Sequence, residues 1–153
     1  MGQVAGSGIT ERVNDLPIDI SLVQLSTSLI AVFEGCRLTA YRDSGGILTI
    51  GYGHTGPDVT EGLTITRELA EELLVKDQER LFAMVQDKPL IEAAALISFG
   101  FNCGARALEK VIMGTAILTD YVKDRRGNEL PGLVARRRME EALILASWKQ
   151  FGK

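Results

Sequence analysis

The segment between residues 34 and 54 most constrains the fold of this chain, because its periodicity changes there from helical to strand-like. The apolar residues before it recur at helical spacing: Leu22, Leu25, Leu29, Val32 and Phe33. Gly35 is a typical helix stop, so Glu34 is predicted to lie at a helix end. Beyond it, strand-like runs turn through Gly45 and Gly46, which predicts a small antiparallel sheet.

The rest of the chain is predicted to be helical. After a loop or short strand over 60–66, the apolar pattern predicts four helices: from Thr66 to near Pro89, from Leu90 to Phe101, from about Leu108 to Val122, and from Leu133 to Phe151. The charged stretch 123–129 between the last two is a solvated loop or linker by composition. A small β region beside a helical majority indicates the α+β class.

The chain is expected to form one domain after a short, loose N-terminal segment. Residues 1–16 are rich in glycine, serine and charge, which predicts a loose N-terminal segment. Residues 17–153 are then the domain, with a β-containing lobe over about 35–65. The helical lobe covers about 66–153 together with the first helix.

Composition argues against several classes of function. The 153 residues and 46% hydrophobic content are typical of one soluble domain. The 17 basic and 20 acidic residues give a net charge of −3, which argues against a general nucleic-acid surface. The apolar stretch 18–33 is interrupted by polar residues and shorter than the roughly 20 residues of a membrane span, so stable membrane insertion is not expected.

The two cysteines, Cys36 and Cys103, leave two interpretations open. They form no disulfide framework and lie in no C-x-x-C spacing, so two buried thiols are the simpler prediction. Cys36 nevertheless follows Glu34 closely, and a Cys36–Cys103 pairing would distort that region and act as a redox lock.

Glu34 and Asp43 form a candidate pair for acid–base chemistry. A carboxyl next to Phe33 at a packed helix end is partly desolvated, as a general acid requires. Asp43 precedes a glycine turn and is suited to an ionised base or charge stabiliser, while the Thr49 hydroxyl is suited to hold a water. Each has an ordinary alternative: an ion-paired helix-end carboxylate, a turn-setting aspartate and a strand threonine.

His54 is the single histidine, so it cannot form a multi-histidine metal site, and no metal is expected. A structural histidine hydrogen-bonded near the cleft is the simplest interpretation. A thiol pair with Cys103 lacks any supporting local motif. Gly51 and Gly53 are not followed by a phosphate-binding signature, which argues against a nucleotide site.

Several motifs resemble those of bacteriophage-type lysozymes, the endolysin muramidases of glycoside hydrolase family 24. The specific part is the spacing of Glu34, Asp43 and Thr49 within a segment that ends in Gly51-Tyr52-Gly53-His54. Further matches lie at 95–104 and at 130–137, so the resemblance extends from about Leu22 to the C-terminus.

The resemblance implies a metal-free muramidase without cofactors. Glu34 would be the catalytic acid, with Asp43 as the second carboxylate and Thr49 as its partner in handling water or the sugar. The implied substrate is bacterial peptidoglycan, which would lie in an active-site cleft between the β-containing lobe and the helical lobe and be cut at the β-1,4 bond after N-acetylmuramic acid. Phe101, Asn102 and His54 are the candidate substrate-binding residues, although a core phenylalanine and a helix-ending asparagine are ordinary alternatives. One guanidinium of Arg136, Arg137 and Arg138 is expected near Glu34, with most of that group on the solvated surface.

The same resemblance implies a biological setting. A monomer is expected, made in the host cytoplasm and acting on the wall in the periplasm, with host lysis as the result. Residues 1–16 show no hydrophobic anchor, so a holin-type protein is expected for export. A lytic transglycosylase and a catalytically inactive wall-binding module are the alternative functions.

Overall fold

The computed structural model describes residues 11–13, 16–18 and 20–152. The segment predicted to be loose lies mostly outside these residues. Where it is described, strand β1 (Glu11–Val13) pairs antiparallel with β2 (Leu16–Ile18). Helix α1 follows over Ile20–Glu34, which confirms that Glu34 is the last residue of the first helix. Gly35 follows it with a φ of +64°, a conformation that favours glycine.

The β lobe is a three-stranded antiparallel sheet, as predicted. Its strands are β3 (Arg37–Arg42), β4 (Leu48–Gly51) and β5 (His54–Thr55), in the order β3-β4-β5. The turn between β3 and β4 passes through Gly46 at a φ of +80°. A backbone bridge between Thr39 and Thr64 attaches the following loop to this sheet.

Helix α2 connects the two lobes. It covers Arg67–Phe82 and continues as one 3₁₀ turn over Ala83–Val85, so the predicted helix near residues 66–89 is confirmed. The Thr66 hydroxyl caps its N-terminus by accepting a hydrogen bond from the Leu69 amide at 3.2 Å. Because α2 contacts β4 and β5 of the sheet as well as the next helix, α3 (Leu90–Cys103), it fixes the β lobe relative to the helices.

The helical core is built on α3, which contacts α1, α2, α4 (Ala105–Ile112) and α5 (Pro131–Phe151). Its residues from Glu92 to Gly100 are all buried. Gly100 is needed for the close contact with α4, since a Cβ there would lie 2.8 Å from Leu108 Cδ2. The predicted helix over 90–101 is confirmed, and it extends two residues further at its C-terminal end.

The prediction of one helix over 108–122 is wrong. Helix α4 covers only Ala105–Ile112 and ends in a Schellman motif, in which the Thr115 amide donates to the Lys110 carbonyl and the Gly114 amide to the Val111 carbonyl. Gly114 has a φ of +73°, which a helix cannot contain. The chain then makes a separate 3₁₀ turn over Leu118–Asp120.

Helix α5 covers Pro131–Phe151 and starts with proline at its first position, where a missing amide costs nothing. Before it, residues 123–129 form the predicted loop, closed by a backbone bridge between Lys123 and Glu129. Within the described ranges no helix has the length and apolarity to cross a bilayer.

A buried amide joins α1 to α2 below the β lobe. Gln78 is fully buried and accepts a hydrogen bond from the Ser26 hydroxyl at 2.6 Å. Its amide nitrogen donates to Thr27 Oγ1 and to the Leu74 carbonyl, each at 3.1 Å. These bonds satisfy the buried amide and fix α1, which carries Glu34 at its end.

Candidate active site

The Glu34 carboxylate lies at the C-terminal end of α1, where its two oxygens face different surroundings. Oε1 accepts a hydrogen bond from Arg136 Nη1 at 2.7 Å. Oε2 lies 3.4 Å from the position that a Cβ on Gly53 would occupy. Gly53 has a φ of +79°, so glycine permits both the turn and the close approach of the carboxylate. The Glu34 side chain is 25% exposed, which leaves it accessible.

Arg136 is a buried residue that links Glu34 to the helical core. Its guanidinium donates to the Ser98 carbonyl at 3.0 Å and to Glu140 Oε1 at 3.2 Å, in addition to Glu34. It also lies 5.1 Å from the Phe33 ring centroid. Contacts on several sides hold this planar guanidinium in place. The N–H group that it donates to Glu34 therefore has a fixed direction.

Arg137 is the second buried arginine of α5. It donates to Asn102 Oδ1 at 2.7 Å and lies 2.9 Å from Glu140 Oε2. Burial raises the pKa of the Glu140 carboxyl, while Arg137, Ser98 and Arg136 oppose that change. The expectation that most of the arginine group is solvated is therefore wrong, since only Arg138 is exposed.

A cleft of about 570 Å³ lies between the β lobe and α2, and Phe101 of α3 forms part of its wall. Gly53, which contacts Glu34, lines the same cleft. The remaining lining residues are Thr55, Lys76, Asp77, Glu79 and Arg80. Phe101 thus lines the cleft directly, whereas Glu34 is next to the cleft through Gly53. Asn102, the next residue of α3, is exposed, and its amide oxygen accepts a hydrogen bond from Arg137.

Asp43 sets the turn between β3 and β4 with one of its two oxygens. Oδ1 accepts hydrogen bonds from the amides of Gly45 at 2.8 Å and Ile47 at 2.9 Å. In the described part of the chain, Oδ2 accepts none. Asp43 lines a second cavity, of about 600 Å³, rather than the cleft of Phe101. The turn-setting interpretation is therefore confirmed for Oδ1, and Oδ2 remains available for chemistry.

Thr49 is held on β4, where it is 4% exposed. Its hydroxyl donates to the Ile47 carbonyl at 2.9 Å, and its backbone lies between Tyr41 of β3 and Thr55 of β5. The hydroxyl oxygen retains acceptor capacity in this arrangement.

His54 bridges the β lobe to α2 through two carboxylates. Nδ1 lies 2.8 Å from Asp77 Oδ2, and Nε2 lies 2.9 Å from Asp58 Oδ2. Both ring nitrogens are therefore engaged by the protein, which favours the structural interpretation. A substrate contact from His54 stays a prediction. A thiol pair with Cys103 is not formed, since that sulfur instead accepts from Arg137.

The His54 bridge predicts a pH-dependent stability. Burial by itself lowers the pKa of this imidazole, but hydrogen bonds and charge from Asp77 and Asp58 outweigh it and raise the pKa above its ordinary value. The imidazolium form is thus bound more tightly in the folded state. The free energy of unfolding should be greatest below the unfolded-state pKa of about 6.5 and should fall as pH rises through the folded-state pKa.

Urea unfolding across this pH range measures that slope, and NMR titration of the single histidine gives the folded-state pKa directly. A His54→Gln variant keeps a hydrogen-bonding side chain without the titration, so the slope should disappear. A slope that is the same in His54→Gln would assign it to other groups.

Both cysteines are free thiols in partly buried positions. Burial raises the pKa of the Cys103 thiol, although Arg137 opposes this change. The free-thiol prediction is confirmed, and the redox lock is not formed in this structure.

Sequence reasoning missed four residues that support the site: Ser98, Glu140, Asp58 and Asp77. Glu140 carried a usable signal, because it lies three and four positions after two arginines on one helix. Asp58 lies only four positions after His54, but no helix or strand pattern there marks the pair. Ser98 and Asp77 meet their partners only through tertiary packing.

Comparison with known proteins places the chain in a family. A family model described as phage lysozyme matches residues 31–140. The endolysin of Salmonella phage P22 is 36% identical over 132 residues, which cover 74% of this chain and 90% of that protein. The predicted resemblance is confirmed by these matches.

Solved structures give the same result. The endolysin of Escherichia coli O157:H7 phage FAHEc1 aligns with a TM-score of 0.69 at 30% identity, covering 91% of this chain and 98% of that one. The muramidase domain of SpmX from Asticaccaulis excentricus aligns with a TM-score of 0.66 at 32% identity, covering 78% and 94%. The lysozyme-like α+β fold is therefore confirmed. The chain belongs to the phage lysozyme family and is a glycoside hydrolase of the muramidase type.

Proposed function

We propose that this enzyme hydrolyses the β-1,4 bond between N-acetylmuramic acid and N-acetylglucosamine in bacterial peptidoglycan, with Glu34 as the general acid. The observation that carries this proposal is that the two Glu34 oxygens have different neighbours. Arg136 occupies Oε1, whereas Oε2 lies beside Gly53, a residue of the cleft wall. A proton on Oε2 is therefore the one that a glycosidic oxygen in the cleft can receive.

Asp43 and Thr49 supply the second half of the reaction in this proposal. The oxocarbenium-like transition state is positively charged, and a carboxylate near it stabilises that charge or activates a water. Oδ2 of Asp43 has no hydrogen bond among the described residues, and the Thr49 hydroxyl oxygen can accept one from a water. Both lie on the sheet that the Asp43 turn organises.

An Asp43→Asn variant separates the catalytic role of Asp43 from its turn-setting role. The asparagine oxygen can still accept from the Gly45 and Ile47 amides, so the turn and the free energy of unfolding should change little. Loss of the charge should lower kcat by about a hundredfold. Wall hydrolysis and thermal unfolding on the same sample measure both. Full activity in Asp43→Asn would show that Asp43 only sets the turn.

Product analysis tests the reaction type. Hydrolysis leaves a reducing N-acetylmuramic acid end, whereas a lytic transglycosylase leaves a 1,6-anhydro end without using water. Mass spectrometry of products made in ¹⁸O-labelled water should show one ¹⁸O atom per cut. Anhydro products would assign the transglycosylase reaction, and absence of any product would assign an inactive wall-binding module.

Phe101 and Asn102 are the proposed substrate contacts on the helical side of the cleft. Phe101 can stack on the apolar face of a sugar ring. Arg137 accounts for the orientation of Asn102, because it occupies the amide oxygen and leaves the NH₂ group to donate to an N-acetyl carbonyl.

We further propose that the enzyme acts as a monomer in host lysis. Synthesis in the host cytoplasm and action on the periplasmic wall would require passage across the membrane, for which a holin-type protein is the proposed partner. No nucleic-acid partner is proposed, in keeping with the net charge of −3. Lysis of host cells that produce the enzyme in their cytoplasm, with and without permeabilisation of the cytoplasmic membrane, tests this requirement.

A further inference from the structure

Glu140 is a fully buried carboxylate to which the proposed reaction gives no direct part. It lies on α5 with 0% of its surface exposed, one helical turn after Arg136 and Arg137, which are buried as well. An ionised group is costly to bury unless opposite charges and hydrogen bonds compensate it. The contacts of its two oxygens therefore show what this buried charge holds in place.

The two oxygens of Glu140 contact different groups of the two arginines. Oε1 accepts hydrogen bonds from Ser98 Oγ at 2.7 Å, from Arg136 Nε at 3.2 Å and from Arg137 Nη2 at 3.4 Å. Oε2 lies 2.9 Å from Arg137 Nε, with which it forms an ion pair. Because a guanidinium is planar with donors at fixed angles, a contact at its Nε group also sets the direction of its Nη groups. Glu140 thus helps to orient both arginines.

The Nη groups of these arginines reach two side chains that have roles in the proposed reaction. Arg136 Nη1 donates a hydrogen bond to Glu34 Oε1 at 2.7 Å, and Arg137 Nη2 donates one to Asn102 Oδ1 at 2.7 Å. Glu34 is the proposed acid, and Asn102 is the proposed donor to an N-acetyl carbonyl. Glu140 is therefore linked to the acid and to the sugar contact through one arginine each.

The orientation of Arg137 depends strongly on Glu140. Arg137 Cζ lies 5.0 Å from the Phe99 ring centroid, a contact that fixes the plane of the guanidinium but not its rotation within that plane. Its Nη1 group donates to Cys103 Sγ at 2.7 Å, and sulfur is a weak acceptor. Ionised partners make the stronger hydrogen bonds, so the Glu140 carboxylate is the main contact that sets this rotation.

We propose that Glu140 is a positioning residue of this enzyme. Through Arg137 it directs the Asn102 amide toward the N-acetyl group of the substrate, and through Arg136 it directs Glu34 toward the glycosidic bond. This inference rests on the proposed function, because Asn102 and Glu34 have these tasks only in that reaction. One buried carboxylate then joins the binding of the sugar to the placement of the acid.

A Glu140→Gln variant separates the two links, because glutamine has one acceptor oxygen where glutamate has two. Three donors converge on Oε1, so the glutamine oxygen should take that position and keep Arg136 in place. Its NH₂ group then faces Arg137 Nε, and two donors repel each other. Loss of the oriented Asn102 contact should raise KM for soluble peptidoglycan strands about fivefold, while kcat stays within about twofold.

A double-mutant cycle with Asn102→Ala distinguishes positioning from a general loss of structure. Asn102 is exposed, so its substitution should leave the fold intact while raising KM. Adding Glu140→Gln to Asn102→Ala should raise KM no further, because Glu140 acts on KM through Asn102. Glu141→Gln, the same change at the exposed next residue, is the control and should alter neither constant.

Three results of these kinetics would overturn the proposal. They are unchanged constants in Glu140→Gln, a fall in its kcat at unchanged KM, and an equal rise in KM with and without the Asn102 side chain. Thermal unfolding of each variant shows whether the compared proteins are folded.

NMR of the unaltered protein tests the network without relying on catalysis or on the folding of a variant. The Nε–H protons of Arg136 and Arg137 should exchange slowly with solvent, whereas that of the exposed Arg138 should exchange fast. In Glu140→Gln, the Arg137 Nε–H signal and the Asn102 side-chain amide signals should shift. These results in a protein that cuts no glycan would refute the proposed reaction but support the orientation of Asn102 by Glu140. Fast exchange at Arg137 Nε–H, whatever the activity, would refute the positioning role.

Discussion

A Glu34→Gln variant should lose about a thousandfold in kcat on purified peptidoglycan while keeping its fold. The glutamine oxygen can still accept the hydrogen bond from Arg136, so the helix end and the cleft should persist. What disappears is the acidic proton on the oxygen beside Gly53, and general acid catalysis is typically worth about 10² to 10⁴ in rate. Reducing-end formation over time and thermal unfolding measure the two quantities.

Glu61→Gln provides the matched control for Glu34→Gln. Glu61 is an exposed glutamate of the loop after β5, where it pairs with Arg42. The substitution is chemically identical, and surface pairs contribute little to stability, so activity should stay near that of the unaltered enzyme. If Glu34→Gln retained a tenth or more of the activity, the proton donor would have to be another group.

An Arg136→Met variant should be both less stable and less active. Arg136 is 3% exposed and joins Glu34 of α1, Ser98 of α3 and Glu140 of α5. Removing one member of a buried ion-pair network leaves carboxylates without their partner, at a cost of about 3 to 5 kcal/mol. Urea unfolding at neutral pH measures this change in the free energy of unfolding.

The activity of Arg136→Met shows whether the arginine also positions Glu34. A freed carboxylate samples several rotamers, so kcat should fall while KM for the glycan is preserved, since Arg136 lies outside the cleft lining. Arg136→Lys restores the positive charge, but an ammonium group cannot make all the hydrogen bonds of the planar guanidinium. It should therefore rescue stability more than kcat. Arg138→Met, an exposed neighbour, should change neither. Equal kcat in Arg136→Met and the unaltered enzyme would limit Arg136 to a structural role.

Local patterns were sufficient to predict the elements that carry the candidate site. The helical spacing that ends at Glu34 and the glycine-separated strand runs both depend on residues close together in the chain, which is why α1 and the sheet were predicted correctly. The end of α4 was missed for the opposite reason. Gly114 reads as an isolated glycine in an apolar pattern, and only the Schellman hydrogen bonds show that it terminates the helix.

Charges were harder to place than apolar residues. Three consecutive arginines on a helix suggested a solvated surface, yet α5 turns two of them inward because Glu140 lies one turn ahead and Glu34 and Asn102 approach from other helices. Long-range pairing of this kind depends on how α1, α3 and α5 pack. The same limit applies to the Asp77 carboxylate beside His54, because Asp77 comes from α2.

The contact between Glu34 and Arg136 joins residues that are 102 positions apart. Synthesis proceeds at about 5 to 20 residues per second, so the ribosome releases the first helix before the last one. A nascent chain that has released only residues up to 130 therefore has Glu34 without the guanidinium that orients it. The arrangement of Glu34 seen in the folded protein should arise only at the end of translation, when α5 docks.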